Sequence, residues 1–288
     1  MKKLITILIL FIATTLSAQV KMNFNFTTPY GNNSEVGKYV KLNGAKIYYE
    51  EYGKGEPMLL IHGNGGSIKD MGNQIDYFKS RYHIIVADNR GHGKSELKTD
   101  SLTYTQITKD WEALVQHLKL KPVIIIGWSD GGIIALKMGI SNKVKIKKIV
   151  AMGANLRPDT SAVYEWAVND VKKSKKQVDA MIANGYKDAK LLQAKQHLGL
   201  LVEQPNIPVA DLSKIQAPVL VIAGDKDIIK EAHTLEIYQH IPHAQLCIMP
   251  GETHYAPASS PELFNAIVNK FVTEAFKRPD SDWTKWQK

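Results

Sequence analysis

The chain has 288 residues, 44% of them hydrophobic and 23% charged, with 20 Gly and 12 Pro. These globular proportions exclude a collagen-like, coiled-coil or disordered chain, and the single cysteine, Cys247, excludes an intrachain disulfide and a cysteine-based metal cluster. The formal charge of +9 is scattered, densest at Lys143, Lys145, Lys147, Lys148 and at Lys172, Lys173, Lys175, Lys176. Without a basic helix or an aromatic ladder it reads as a lysine-rich surface and not as a nucleic-acid interface.

In chain order, the first element is an address. Lys2 and Lys3 precede an apolar run from Leu4 to about Leu16, followed by Ser17, Ala18 and Gln19. A positive start, an apolar stretch short of the roughly 20 residues a membrane span needs, and a small-residue end together predict a cleavable signal peptide over residues 1–18. The expected mature chain starts at Gln19, keeps no membrane span, and is exported to the periplasm or secreted. Residues 19–37 form an N-terminal extension.

Extended runs at 38–42 and 46–50 flank Asn43-Gly44 and predict a β-hairpin. Short apolar runs at 58–61, 83–88, 122–126, 148–152, 218–223 and 245–249 suit strands buried on both faces of a parallel sheet. Helical patterns lie between them at 105–118, 130–140, 230–240 and 261–276. This alternation predicts an α/β fold, a mostly parallel twisted sheet with helices on both faces. Residues 155–212 interrupt it with helical segments near 161–174, 176–184 and 188–201, placed where a lid would sit. The expected organisation is a core of 38–154 and 213–276, a helical lid at 155–212 and a C-terminal tail at 277–288.

One motif carries chemistry by itself. Gly127-Trp128-Ser129-Asp130-Gly131 joins the strand Val123-Ile124-Ile125-Ile126 to a helix. Glycines two residues either side of a serine permit a sharp strand-to-helix turn that lifts the hydroxyl above the sheet edge. A glycine-rich turn whose serine only caps the helix is the plain alternative.

With this motif the chain resembles the α/β-hydrolase family from about Lys38 to Phe276. His62-Gly63-Asn64-Gly65-Gly66 resembles the family's oxyanion loop, and Asp88-Asn89-Arg90-Gly91-His92-Gly93-Lys94-Ser95 its loop after the next strand. Gly224-Asp225-Lys226-Asp227 and Pro250-Gly251-Glu252-Thr253-His254 resemble its acid and histidine segments. The family order is nucleophile, acid, histidine. It implies Ser129 as nucleophile, His254 as base in preference to His233, His240 and His243, and Asp227 as acid in preference to the turn-former Asp225. It further implies the backbone N–H groups of Asn64 and Asp130 as oxyanion donors, and structural roles for His62, Arg90 and His92. No metal is expected, since neither His62 nor His92 has a spaced histidine or carboxylate set, and no cofactor, since the glycine loops lack phosphate-loop and dinucleotide spacing.

The implied reaction is cleavage of a small-molecule carboxylic ester. Trp128 beside the nucleophile, and Tyr164, Trp166, Met181, Ile182, Leu191, Leu192 and Leu198 of the insertion, are candidate pocket walls. The elbow also resembles that of the valacyclovir-hydrolase-like subgroup, where an acid beside the nucleophile is associated with the amino group of amino-acid esters; here that acid is Asp130. Asp in a first helical turn is also favoured by capping and the helix dipole. A C–C bond hydrolase or lyase of the same fold, and a non-catalytic small-molecule binding protein, are the alternatives.

Overall fold

The computed structural model describes residues 21–279 and 281–285. The expected signal peptide at 1–18 lies outside these residues. No helix among the described residues is long and apolar enough to cross a membrane.

Eight strands form one sheet: β1 Lys38–Leu42, β2 Ala45–Tyr52, β3 Glu56–Ile61, β4 Tyr82–Ala87, β5 Val123–Trp128, β6 Ile146–Met152, β7 Val219–Lys226 and β8 Ala244–Thr253. Their order is β1-β2-β4-β3-β5-β6-β7-β8. β1, β2 and β4 pair antiparallel, and the remaining pairs are parallel. The β1–β2 hairpin turns on Asn43 (φ 44°) and Gly44 (φ 84°). Positive φ at both central residues is what a type I′ turn requires, so the expected Asn-Gly signal is realised.

The helices are α1 Gly72–Phe78, α2 Tyr104–His117, α3 Asp130–Ser141, α4 Glu165–Ala183, α5 Ala189–Glu203, α6 Glu231–His240, α7 Ala256–Ser259 and α8 Pro261–Thr273. They cover both faces of the sheet. One apolar cluster joins β-strand residues Leu59, Ile61, Ile125, Ile149 and Val221 to Trp111, Leu114, Ile134, Leu136 and Ile237 of α2, α3 and α6. The other joins Met58, Leu60, Ile124, Ile126, Val150 and Ile222 to Ile75, Phe78, Phe264 and Val268 of α1 and α8. Alternate residues of one strand thus serve opposite layers, which is why these strands read as unbroken apolar runs. Burying each such aliphatic side chain is worth about 1.5–3 kcal/mol.

Two sequence expectations change. The segments near 161–174 and 176–184 are one helix, α4, because Lys172, Lys173, Ser174, Lys175 and Lys176 include no proline or glycine to end it. α1 was not expected, since it is short and opens on Gly72. The extension before β1 is pinned by Glu50, a fully buried carboxylate that accepts from the N–H groups of Gly31 and Asn33 and from the hydroxyls of Tyr48 and Tyr52.

Candidate active site

The chain leaves β3 toward β4 on one side and returns to β5 on the other, so the strand order reverses between β3 and β5. A crevice forms outside the carboxyl ends of strands at such a point. The loop after β3 carries His62 to Gly66, and Ser129 follows β5 directly.

Ser129 has φ 58° and ψ −119°, a strained backbone for a residue with a side chain. A Cβ on Gly127 would overlap the Gly131 carbonyl, and one on Gly131 would overlap the Ile61 carbonyl. The two glycines of the motif are therefore required by close approach of backbone. Ser129 Oγ lies 2.9 Å from His254 Nε2, and His254 Nδ1 lies 2.6 Å from Asp227 Oδ1. Asp227 is buried, and the same oxygen also accepts from the Ile229 N–H at 3.0 Å. With Nδ1–H donated to Asp227, His254 presents a lone pair on Nε2 to the serine hydroxyl. The arrangement can move a proton from Ser129 to His254 while Asp227 holds the ring.

The alternatives fall elsewhere. Asp225 Oδ2 accepts from the Gly251 N–H at 3.0 Å, tying the ends of β7 and β8 together, and it is Asp227 that His254 bonds. His233 accepts from the Leu156 N–H through Nε2 at 2.9 Å and faces Glu236 and Arg157 through Nδ1. His240 Nδ1 bonds a carbonyl of its own helix. His243 packs edge-on against Phe276.

The loop after β3 lies against the nucleophile. A Cβ built on Gly63 would sit 3.0 Å from Ser129 Cβ and 3.6 Å from its Oγ. His62 Nδ1 donates to the Gly63 carbonyl at 2.7 Å, and His62 Nε2 accepts from the Asn89 N–H at 3.0 Å. Burial pushes the His62 imidazole down to about 4, so it stays neutral with this tautomer. The Gly66 N–H also binds the Gly63 carbonyl, at 3.2 Å. In a trans peptide C=O and N–H point opposite ways, so pinning this carbonyl fixes the direction of the Asn64 N–H. The Asp130 N–H belongs to the first turn of α3, where N–H groups have no helical acceptor. Arg90 makes a buried bidentate pair with Asp110 at 2.7 and 2.8 Å, away from the nucleophile. His92 is buried and stacks on His197 at 3.8 Å.

The Asp130 carboxylate accepts from the Tyr104 hydroxyl at 2.7 Å and from Asn64 Nδ2 at 2.9 Å. Burial pushes its pKa up to about 6, against the opposing pull of these two donors. Asn64 Nδ2 also reaches the His197 carbonyl of α5 at 3.2 Å. Ser129, His254, Asp130 and Tyr104 share a cavity of about 90 Å³ with Val163, Ala167, Val168, Val171, Leu201 and Val202. Such a space admits a small aliphatic group.

The expected wall residues are displaced. Trp128 shares a face of the sheet with Ile124 and Ile126, in the cluster beneath α1 and α8, by the alternation of β5. Its indole Nε1 donates to the His254 carbonyl at 2.7 Å, so it holds the histidine loop instead of lining the cavity. Trp166 is 65% exposed: the cavity is lined by Ala167, Val168 and Val171, and one residue back on a helix is 100° off that face. Tyr164, Met181, Ile182, Leu191, Leu192 and Leu198 do not line it either.

Two residues went unnoticed in the sequence. Tyr104 carries no motif. Gly153, just after β6 at φ 59°, lies under the histidine: a Cβ there would be 2.7 Å from His254 Nδ1. Its place between a strand and an irregular segment was the available signal.

The family model described as "alpha/beta hydrolase fold" matches residues 56–201. The chain belongs to the α/β-hydrolase family. It is similar to the serine hydrolase BPHL of Homo sapiens, 29% identical over 252 residues that cover 81% of this chain and 85% of that protein. It is also similar to the (E)-2-((N-methylformamido)methylene)succinate hydrolase of Acinetobacter baylyi, 26% identical over 253 residues, 80% of this chain and 95% of that protein. Among solved structures it shares the fold of a meta-cleavage product hydrolase from Pseudomonas fluorescens IP01, with TM-score 0.66 and 19% identity, covering 83% of this chain and 98% of that one. The chain is therefore a hydrolase of the α/β fold.

Proposed function

We propose that this α/β-hydrolase is an exported serine hydrolase cleaving a small carboxylic ester through an acyl-enzyme on Ser129. The observation that carries the reading is the continuous relay of Ser129 Oγ, His254 and Asp227 at 2.9 and 2.6 Å. His254 Nε2 takes the hydroxyl proton as Ser129 Oγ bonds the carbonyl carbon. The carbonyl oxygen becomes an oxyanion facing the N–H groups of Asn64 and Asp130; one such donor is worth about 2.7–4 kcal/mol in the transition state. Collapse expels the alcohol with the proton from His254, and water repeats the sequence to free the acid.

Asp130 supports an amino-acid ester. An ionised carboxylate beside the nucleophile opposes the negative charge of the tetrahedral intermediate, and an α-ammonium on the substrate offsets that repulsion. The test is a panel of 4-nitrophenyl, amino-acid and carbon–carbon substrates with wild type and Ser129→Ala. Fluorophosphonate labelling and ester turnover should both vanish in the variant, the latter by at least about 10³-fold. Labelling that persists at another serine overturns the site, and turnover of the carbon–carbon substrates alone overturns the ester. Export is tested by N-terminal sequencing. A mature chain that starts at Gln19 supports it, and one that keeps Met1 refutes it.

A further inference from the structure

We propose that Lys172 is the anion-binding residue of this pocket and that the acyl part of the substrate ends in a carboxylate, making the substrate a monoester of a short dicarboxylic acid. This rests on the serine-hydrolase reading of Ser129. Lys172 lines the same cavity as Ser129 and His254, on the face of α4 that also supplies Val168 and Val171. Among the described residues it has no hydrogen bond and no ion pair, and it is exposed. Lys175, three residues further along α4, is engaged by Asp179 at 2.8 Å and Glu203 at 3.5 Å. Lys172 is thus the free cation at the rim.

Apart from His254, the charged side chains among the described residues that line the cavity are the buried Asp130 beside the nucleophile and the exposed Lys172; the rest of the wall is mostly aliphatic, Val163, Val168 and Leu201 among it, with Asn155 and Gln204 as polar exceptions. A lysine lays its methylene stem along such an aliphatic wall and keeps its ammonium in water at the mouth. A ligand that matches this sequence of surfaces has its ester carbonyl at Ser129, a short aliphatic spacer, and an anion at the mouth. With an α-ammonium facing Asp130 as well, it is the α-ester of an acidic amino acid. A long neutral acyl chain would leave Lys172 without a partner.

The experiment compares two alkyl fluorophosphonates that differ only at the chain end, carboxylate against carboxamide, by their rates of labelling Ser129. Wild type should prefer the carboxylate by about two- to five-fold, the range of an exposed ion pair, and the preference should shrink as salt is raised. Lys172→Met should abolish the preference and Lys172→Glu should invert it, while Lys173→Met, off the cavity, should retain it. The ratio of kcat/KM for mono-4-nitrophenyl glutarate to 4-nitrophenyl pentanoate should move in parallel. Equal rates in wild type, or a carboxylate preference that survives in Lys172→Met, overturns the proposal. Failure of both reagents to label Ser129 overturns the nucleophile itself, which separates the two ideas.

Discussion

The two halves of the candidate site are built differently. The strand-end half takes Ser129, Asp227, His254 and the loop after β3 from a sheet whose central strand β5 is buried at all six residues. The other half, α4 and α5, buries only Ala167, Val168 and Val178 from one helix and Leu191 and Leu200 from the other. It is fastened by polar side chains of α5 and the residue that follows it. Gln193 Nε2 and His197 Nε2 share the Gly91 carbonyl, and Gln196 bonds both the Leu102 N–H and the Asp100 carbonyl. Gln204 bonds the Tyr104 N–H and the Leu102 carbonyl. Amide hydrogen bonds net about 0.5–1.5 kcal/mol each, less than a buried aliphatic side chain. The candidate catalytic residues therefore stand on the most deeply buried layer, and the α4–α5 wall of the cavity stands on a part with few buried apolar side chains, which is expected to open more easily.

The largest expected effect is in the strand-end half. Asp227→Asn should keep the fold and cut kcat by about 10³–10⁴-fold, since an amide no longer fixes the His254 tautomer. Asp225→Asn should cost far less, because Asp225 only receives the Gly251 N–H. Steady-state kinetics on one ester decides this, and a reversed ranking would move the acid to Asp225. Next comes the buried Arg90–Asp110 pair. Arg90→Met strands a buried carboxylate and should cost about 3–5 kcal/mol in urea unfolding. Adding Asp110→Leu should restore most of that stability; if the double variant is no better than the single, the pair is not the source.

The wall should respond more weakly and locally. Gln193→Ala with Gln196→Ala removes contacts of α5 with residues 91–102. It should lower global stability by about 1–2 kcal/mol at most while speeding amide exchange in α5 about tenfold. KM should rise more than kcat falls. Exchange that accelerates equally in β5 would mean that α5 and the core open as one unit, and the contrast between the halves would disappear.

The same contrast explains what was legible in the sequence. All eight strands stood out: β1 and β2 through the Asn43-Gly44 turn between them, and the central strands because a strand buried on both faces must be apolar throughout, as Val123-Ile124-Ile125-Ile126 is. Ser129, Asp227 and His254 were legible because a strained turn and a short hydrogen-bonded relay tolerate few residue types. The wall was not. Which of Trp166, Ala167 or Val168 faces Ser129 depends on the rotation of α4, and an exposed, lysine-rich helix has no periodicity sharp enough to fix it. Trp128 was misassigned because adjacency in sequence places neighbours on opposite faces of a strand. Tyr104 comes from a helix 25 residues before the nucleophile, so its bond to Asp130 is a tertiary fact.

The smallest expected effect is a ratio, and it probes where the two halves meet. Asp130 lies at the foot of the wall, its carboxylate held by Tyr104 and by Asn64, which also reaches α5. Because burial raises its pKa to about 6 from 3.8, its contribution to stability is complete below about pH 4 and is lost as pH climbs past about 6. Its use for binding runs the other way. Only the ionised carboxylate attracts an α-ammonium, and an α-amino group carries its proton up to about pH 8. The ratio of kcat/KM for a valine ester to that of its des-amino analogue should therefore rise through about pH 6 and fall above about pH 8. Asp130→Asn keeps the backbone N–H but should flatten this profile and lower the plateau about ten- to a hundred-fold, the range of a charge-assisted hydrogen bond of about 1.5–3 kcal/mol. A ratio that is already flat in wild type would assign Asp130 to the terminus of α3 alone and leave a general carboxylic-ester hydrolase.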